Sequence, residues 1–434
     1  MKSRQIMFAA TTMAAVTASA LSAQMQHPAH HPSMTPAQSW NAHVMAQVFP
    51  ILTASEPFRS DSQLNDRETY LTQPALMVGI LGPGSRFALD VTINLEQLTQ
   101  PDGEYTFGGW GEGFIDRRHP HTLVHEAMIS LNVTEAPGGA FSLSAGKGFA
   151  PYGTEDPMSR PVVKFPTNHH LSQILERWLI SAAYRLDSGW IGEFSVFGGA
   201  EPKDAYDFSN IESFGDSWSA RLTKVIEAGA NASIEAATSY AHVEEKHGAE
   251  VEVTKLANAS LRLESVRGID RTYGMIEASH SRPEEGEGYW AILAEGEHRT
   301  GMHRPYTRLE WSTRPEYHRL GLPGTPEFYR YDHGTHTDGA TQWVIATLGY
   351  GLEARSSTIS TRPFVEVQYH HVSSERGAVD PMTLFARTPF CTVPTGFRLF
   401  WGGSGMRMGR YGALALPLAS PATAGTASHT HHQP

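Results

Sequence analysis

The stretch RFALDVTINL, Arg86 to Leu95, alternates along its whole length. Phe87, Leu89, Val91, Ile93 and Leu95 share one face, and Asp90, Thr92 and Asn94 lie on the other. A period of two is the mark of a β-strand. The pattern recurs in segments about ten residues long. TLVHEAMISLNV sets His125, Ala127, Ile129, Leu131 and Val133 against Glu126, Met128, Ser130 and Asn132. LANASLRLE sets Ala257, Ala259, Leu261 and Leu263 against Asn258, Ser260, Arg262 and Glu264. TRLEW sets Leu309 and Trp311 against Arg308 and Glu310, and PFVEVQY sets Val365, Val367 and Tyr369 against Glu366 and Gln368. WLISAAYRL and TQWVIATLGYGLEA are longer versions with less clean polar faces.

These patterns predict strands at 40–49, 73–82, 85–96, 122–133, 139–148, 175–187, 190–199 and 215–226. Further strands are expected at 230–242, 254–265, 271–281, 288–299, 303–314, 340–354, 361–373 and 394–402, with a less clear segment at 406–416. The connections alternate in length. GPGS, EAPGG, DSG, EAGA and RTGM are short, whereas 50–72, 97–121, 149–174, 200–214, 315–339 and 374–393 are long; 243–253 and 282–287 are intermediate. If the strand at Trp40 runs upward, every long connection falls on one side. A soluble β-sandwich array would explain alternation but has no reason to sort its loops. The pattern therefore predicts an all-β, transmembrane antiparallel β-barrel of about 16 strands (range 14–18), with short periplasmic turns and long external loops. On this reading Phe87, Leu89, Val91, Ile93 and Leu95 meet lipid. Arg262, Glu264, Arg308, Glu310 and Glu366 point into the lumen, because a charge on the lipid face is costly near the midplane. Tyr184, Trp190, Tyr240, Trp290 and Trp311 sit toward strand ends, as interfacial girdles require.

Composition sharpens this picture. Only 18% of the residues are charged, the formal charge is −11 and no basic stripe stands out, so nucleic acid is not an expected partner. Lys2 and Arg4 precede an apolar run and then small residues, which marks 1–23 as a signal peptide for export. A membrane anchor is the competing reading, but the run is short for a bilayer. The expected organisation is a His/Met-rich segment at 24–38, a barrel at 39–416 and a polar His-containing tail at 417–434. Cys391 is the only cysteine, so an internal disulfide is excluded. No later run is apolar enough for a spanning helix.

DRRHPHTLVHE (116–126), NHHLSQ (168–173) and GEFSVFGGAEPKDAYDF (192–208) resemble a largely uncharacterised group of bacterial outer-membrane porin-like barrels with an Asp-Arg-x-His-Pro-His motif. The resemblance covers most of the mature chain. It implies the barrel and no reaction. A departure lies at the end, where the polar tail SPATAGTASHTHHQP follows the last aromatic strand and obscures where that strand stops.

Histidines are abundant. His27, His30 and His31 with Met25 and Met34, and His429, His431 and His432, form tail clusters suited to weak, exchangeable copper or zinc; an ordinary polar tail is the bland alternative. Asp116, Arg117, Arg118, His119 and His121 end one long loop, and Asn168, His169 and His170 lie in the connection 149–174. In a porin an inward loop narrows the pore and its charges set selectivity. These residues could line such a constriction or hold a metal; the competing reading is that Asp116 and the arginines pin the loop to the rim. His121 and His125 have His-x-x-x-His spacing without a following Glu in a strand context, a weak zinc signal. Asp332, His333, His336 and Asp338 on a loop are a similar weak cation signal, as are His370 and His371.

No nucleophile elbow, phosphate loop or dinucleotide fingerprint is present. The expected function is a non-enzymatic outer-membrane channel for small polar solutes or ions, with a link to transition-metal handling and no certain cofactor. The alternatives are an outer-membrane enzyme, for which Ser130 and Ser181 face inward without a His at matching depth, and a plugged binding or adhesion barrel. The expected partners are outer-membrane lipid and small polar solutes or metal ions. A homo-trimer is expected only because sixteen-stranded porins are often trimers.

Overall fold

The computed structural model describes residues 39–56, 67–99, 122–154, 159–163, 171–174, 176–202, 206–207, 211, 214–247, 250–284, 286–317, 337–377, 379–382, 387–403 and 407–414. It contains sixteen antiparallel strands closed into one barrel. The first half is β1 (Asn41–Ser55), β2 (Arg67–Leu81), β3 (Phe87–Asn94), β4 (Val124–Ala136), β5 (Gly139–Gly148), β6 (Arg177–Leu186), β7 (Trp190–Phe197) and β8 (Ser217–Glu227). The second half is β9 (Ala232–His247), β10 (Glu250–Arg267), β11 (Asp270–Pro283), β12 (Tyr289–Arg299), β13 (His303–Tyr317), β14 (Thr337–Leu352), β15 (Ile359–Gly377) and β16 (Phe390–Trp401); the two-residue stub Ala354–Arg355 only extends the β14–β15 hairpin. Each strand pairs with its sequence neighbour. β1 closes the ring on β16, from Ala46 opposite Trp401 to Ser55 opposite Thr392. Closure leaves no edge, so every strand finds its backbone partners within the barrel, the condition for crossing a hydrocarbon layer with strands.

The fold is that of a transmembrane β-barrel, and its two faces follow from the alternation. Ile129, Leu131, Leu222, Leu261, Ile276, Ile292, Leu309, Leu348 and Val367 are exposed on the outer wall. Their neighbours Ser130, Thr223, Asn258, Glu277, Arg308, Thr347 and Glu366 are buried on the inner side. An apolar outer band around a polar interior is the lipid-and-lumen arrangement. Leu89, Val91 and Ile93 lie outside while Thr92 and Asn94 are buried inside, as the opening stretch predicts. Aromatics mark both borders: Trp40, Trp190, Tyr350 and Trp401 at the short-turn end, and Trp218, Tyr240 and Trp290 at the loop end.

The sixteen expected strands are present, and several run longer than expected. β1 passes through Pro50 to Ser55, and β15 continues to Gly377. Three expectations change. First, the register of β3 against β4 shifts between Thr92 and Ile93, a bulge in which Val124 and His125 oppose one position. It turns His125 inward with Glu126, not outward with Ala127 and Ile129. Second, 407–414 is not a strand. It is an irregular segment ending in a short 3-10 turn, Gly412–Leu414, and it lies inside the barrel. Third, the inner wall is not purely polar: Phe49, Leu179, Phe197, Val243, Leu256, Phe364 and Phe400 are all buried there. The reason is that two pieces of chain pack against them.

Candidate functional site

The connection from β5 to β6 folds into the lumen. Phe149, Ala150, Tyr152, Thr154, Arg160, Val162, Val163, Leu171 and Ile174 are all buried. At Gly153 the backbone turns with φ of +64°, and a Cβ there would lie 1.8 Å from the Ser172 carbonyl oxygen. Only glycine fits so close an approach. The two limbs are stitched together: the Tyr152 hydroxyl donates to the Leu171 carbonyl at 2.8 Å, and Gln173 donates to the Thr154 carbonyl at 3.3 Å.

This inward segment is anchored to the far wall by charged groups. Thr154 donates to Glu277 of β11 at 2.8 Å. Arg160 pairs with the same carboxylate at 3.2 Å, lies 4.0 Å from Glu295 of β12, and also donates to the Thr154 hydroxyl. Burial alone would disfavour the Arg160 charge, but Glu277 and Glu295 outweigh it and raise the pKa above the ordinary guanidinium value. On β15, Glu366 accepts the Val163 amide at 2.9 Å and the Tyr306 hydroxyl at 3.0 Å. Arg398 of β16 donates to the carbonyls of Arg160 and Pro161 at 2.8 and 3.1 Å. Between these polar anchors Val163 packs with Phe49, Ile51, Tyr70, Phe364 and Phe400. At the near wall, Arg221 holds Glu193 through two bonds of 2.6 Å and donates to the Gly153 carbonyl at 3.1 Å. Glu176 closes the base, accepting the Thr122 amide and meeting His125 Nδ1 at 2.5 Å.

The second lumenal element is the chain beyond β16. Glu235 of β9 accepts two bonds of 2.8 Å from Arg407 and one of 2.9 Å from Arg410. The Tyr411 hydroxyl donates to Glu126 of β4 at 2.7 Å and accepts the Phe149 amide at 3.0 Å. Burial, and then the Glu126 carboxylate, push the Tyr411 phenol well above its ordinary pKa, so it stays protonated and can donate. Met408 and Tyr411 join Met128, Phe149, Tyr152, Ile174 and Leu179 in one apolar cluster. The Ala413 amide reaches Ser142 at 2.9 Å, and a Cβ on Gly412, whose φ is +60°, would lie 2.5 Å from Ser142. The arm thus touches the root of the inward segment directly.

Of the residues singled out in the sequence, Arg308, Glu310 and Glu366 are buried on the lumenal face, and Arg262 and Glu264 lie on the same face. Arg308 is 2.8 Å from Glu295 and 3.9 Å from Glu310; Arg262 is 2.7 Å from Glu264. Asp116, Arg117, Arg118, His119, His121, His169 and His170 lie outside the described residues, as do His27, His30, His31, His429, His431, His432, Asp332, His333 and His336. Among the described residues no cluster of three or more His, Cys, Asp or Glu could hold a metal ion. His370 stacks on Phe390 and meets the Thr392 hydroxyl at 3.0 Å, while His371 faces outward. Ser130 faces Ser144 at 2.8 Å, and Ser181 donates to the Phe194 carbonyl at 3.4 Å. The pattern reading missed Arg160, Arg221, Glu235, Glu277, Glu295, Arg398, Arg407 and Tyr411. The signal for those in strands was available, since a charge within an alternating strand has to face inward. Arg160 and the arm carried no such signal.

No protein-family model matches the chain, and no curated protein matches it. Solved structures do. A loop-L8 deletion mutant of OmpT, an outer membrane protein of Vibrio cholerae, is 12% identical over 84% of this chain and 100% of that one, with a TM-score of 0.49. The anion-selective porin from Comamonas acidovorans is 10% identical over 84% and 99%, at 0.47. Pseudomonas putida OprB is 8% identical over 84% and 94%, at 0.45. At these identities and scores nothing of those proteins' chemistry transfers to this chain.

Proposed function

We propose that this chain is a non-enzymatic outer-membrane channel for small polar solutes or ions. One observation carries the reading: a closed barrel with an apolar exterior has a charged segment folded across its polar lumen and fastened to both walls. Such a segment narrows a pore, and its charges meet whatever passes. The charges come in opposed pairs, Arg160 with Glu277, Arg308 with Glu295 and Arg221 with Glu193. The reading therefore names polar solutes of either sign. The test is conductance of the refolded protein in a planar bilayer. Stable unitary steps support the channel; a silent bilayer from folded protein refutes it.

A second reading, a plugged binding barrel, draws on the arm at 407–414 and the two apolar clusters that the lumenal segments form. Removal of the arm distinguishes the two, because a plugged barrel conducts only after it. Weak copper or zinc capture by the tail histidines is a separate proposal; titration calorimetry showing no heat for the full chain would sink it. The homo-trimer is likewise a proposal, and a monomer by light scattering in mild detergent would exclude it.

A further inference from the structure

The outer wall carries a feature the channel does not use. One row of residues runs across four neighbouring strands at the loop end: Trp218 on β8 is opposite His242 on β9, His242 opposite Lys255 on β10, and Lys255 opposite Arg282 on β11. Lys255 and Arg282 are exposed, and His242 is half-buried. Antiparallel strands lie about 4.8 Å apart, so the His242 ring and the two cations, Lys255 and Arg282, leave the wall within about 10 Å of one another. Like charges directly opposite each other weaken a sheet. Lys255 and Arg282 nevertheless face one another across β10 and β11, and neither has an ion pair among the described residues. The carboxylates of this face, Asp216, Glu244 and Glu284, stand one row further from the membrane, where Glu244 meets His242 at 3.3 Å and Asp216 pairs with Lys246.

The row immediately below is aromatic. Ala220, Tyr240, Ala257, His280 and Trp290 follow one another across β8 to β12. Tyr240 and Trp290 are exposed, and Trp290 packs on His280 with ring centres 4.2 Å apart. Amphipathic rings settle at the level of the headgroups. The cationic row therefore sits at the depth of lipid phosphates, with long stems able to reach along the wall. Ala220 and Ala257 leave gaps between the rings where an acyl chain can lie.

We infer that His242, Lys255 and Arg282 bind the phosphate group of an anionic membrane lipid on the outer wall. The phosphate relieves the repulsion between Lys255 and Arg282, and the aromatic row below receives its chains. This site is independent of the channel reading.

The test is native mass spectrometry of the full barrel in neutral detergent, titrated with phosphatidic acid and, in parallel, with diacylglycerol of the same chains. The wild type should retain phosphatidic acid in preference to diacylglycerol. At about a fivefold loss per cation, Lys255→Gln with Arg282→Gln should weaken phosphatidic acid binding about 25-fold. Lys246→Gln, on the same rim but paired with Asp216 at 3.3 Å, should change it little. Equal retention of both lipids, or a double variant that binds like wild type, would overturn the inference. So would displacement of the lipid by millimolar inorganic phosphate, which would show a site for the free anion. The single variants repeat the measurement if the double variant fails to fold.

Discussion

The arm inside the lumen offers the most direct quantitative prediction. Glu235→Gln removes a carboxylate that holds both Arg407 and Arg410. The side chains concerned are 19%, 28% and 13% exposed, so the network is mostly but not fully buried. Breaking a fully buried pair costs about 3–5 kcal/mol, and an exposed pair is worth about 0–1 kcal/mol. This network lies between the two, and glutamine keeps an acceptor, so the loss should be about 1–3 kcal/mol. The remaining anchors are larger in sum. Burial of Met408 and Tyr411 is worth about 1.5–3 kcal/mol each, and the Tyr411 bond to a carboxylate about 1.5–3 kcal/mol more. The variant arm should therefore stay docked on average but open about 5- to 150-fold more often. Hydrogen exchange reads this directly. The amides of Gly409 and Ala413, bonded to Glu126 and Ser142, should lose protection by that factor, while amides of β4 and β9 keep theirs. Unchanged exchange in the variant, or a wild-type arm that exchanges like free chain, would refute the docking argument. Conductance traces should show more frequent brief openings in the same variant.

Other consequences concern the loop, the lumen, a short turn and the outer wall. Gly153→Ala forces a Cβ into the Ser172 carbonyl at a left-handed backbone position; it should displace the inward segment, cost more than about 1 kcal/mol, and raise protease sensitivity and mean conductance. Arg160→Ala leaves Glu277 and Glu295 facing the lumen with one less cation, so the reversal potential in a salt gradient should move toward cation preference; no movement would remove Arg160 from the conduction path. Glu353, in the turn after β14, is subject to burial, which raises its pKa, but Arg362, Arg304, Arg299 and Arg355 outweigh this and hold it at about 2, below the ordinary 4.5. A depressed carboxylate stabilises the fold above its ordinary pKa and loses that contribution as pH falls from about 4.5 through 2. The loss is on the order of 3 kcal/mol, visible as a falling unfolding midpoint on heated gels, and Glu353→Gln should flatten the curve. Leu309→Lys puts a charge on the exposed outer wall and should cost about 2–4 kcal/mol of barrel stability near the midplane, read by urea titration in vesicles; no loss would contradict a lipid-facing Leu309.

The strands, their faces and the sorting of short and long connections were legible in the sequence alone. Each rests on a period of two within about ten residues, which is local information. Arg308, Glu310 and Glu366 could be placed in the lumen for the same reason: a charge in an alternating strand has one tolerable side. What fills the lumen was decided by tertiary structure. The contacts that hold the inward segment and the arm join residues far apart in the chain: Arg398 to Arg160, Phe149 to Tyr411, Glu126 to Tyr411. No periodicity encodes a partner more than two hundred residues away. The bulge that turns His125 inward is likewise invisible to a pattern that counts in twos, since it adds one residue to one strand. A trace of the missing information was present in Phe49, Phe364 and Phe400. Large apolar residues on an inward face are costly in a wet lumen, and they are stable here because Val163 and its neighbours cover them. The alternation thus determined the barrel and the sign of each face, while packing across the lumen determined which residues meet inside it.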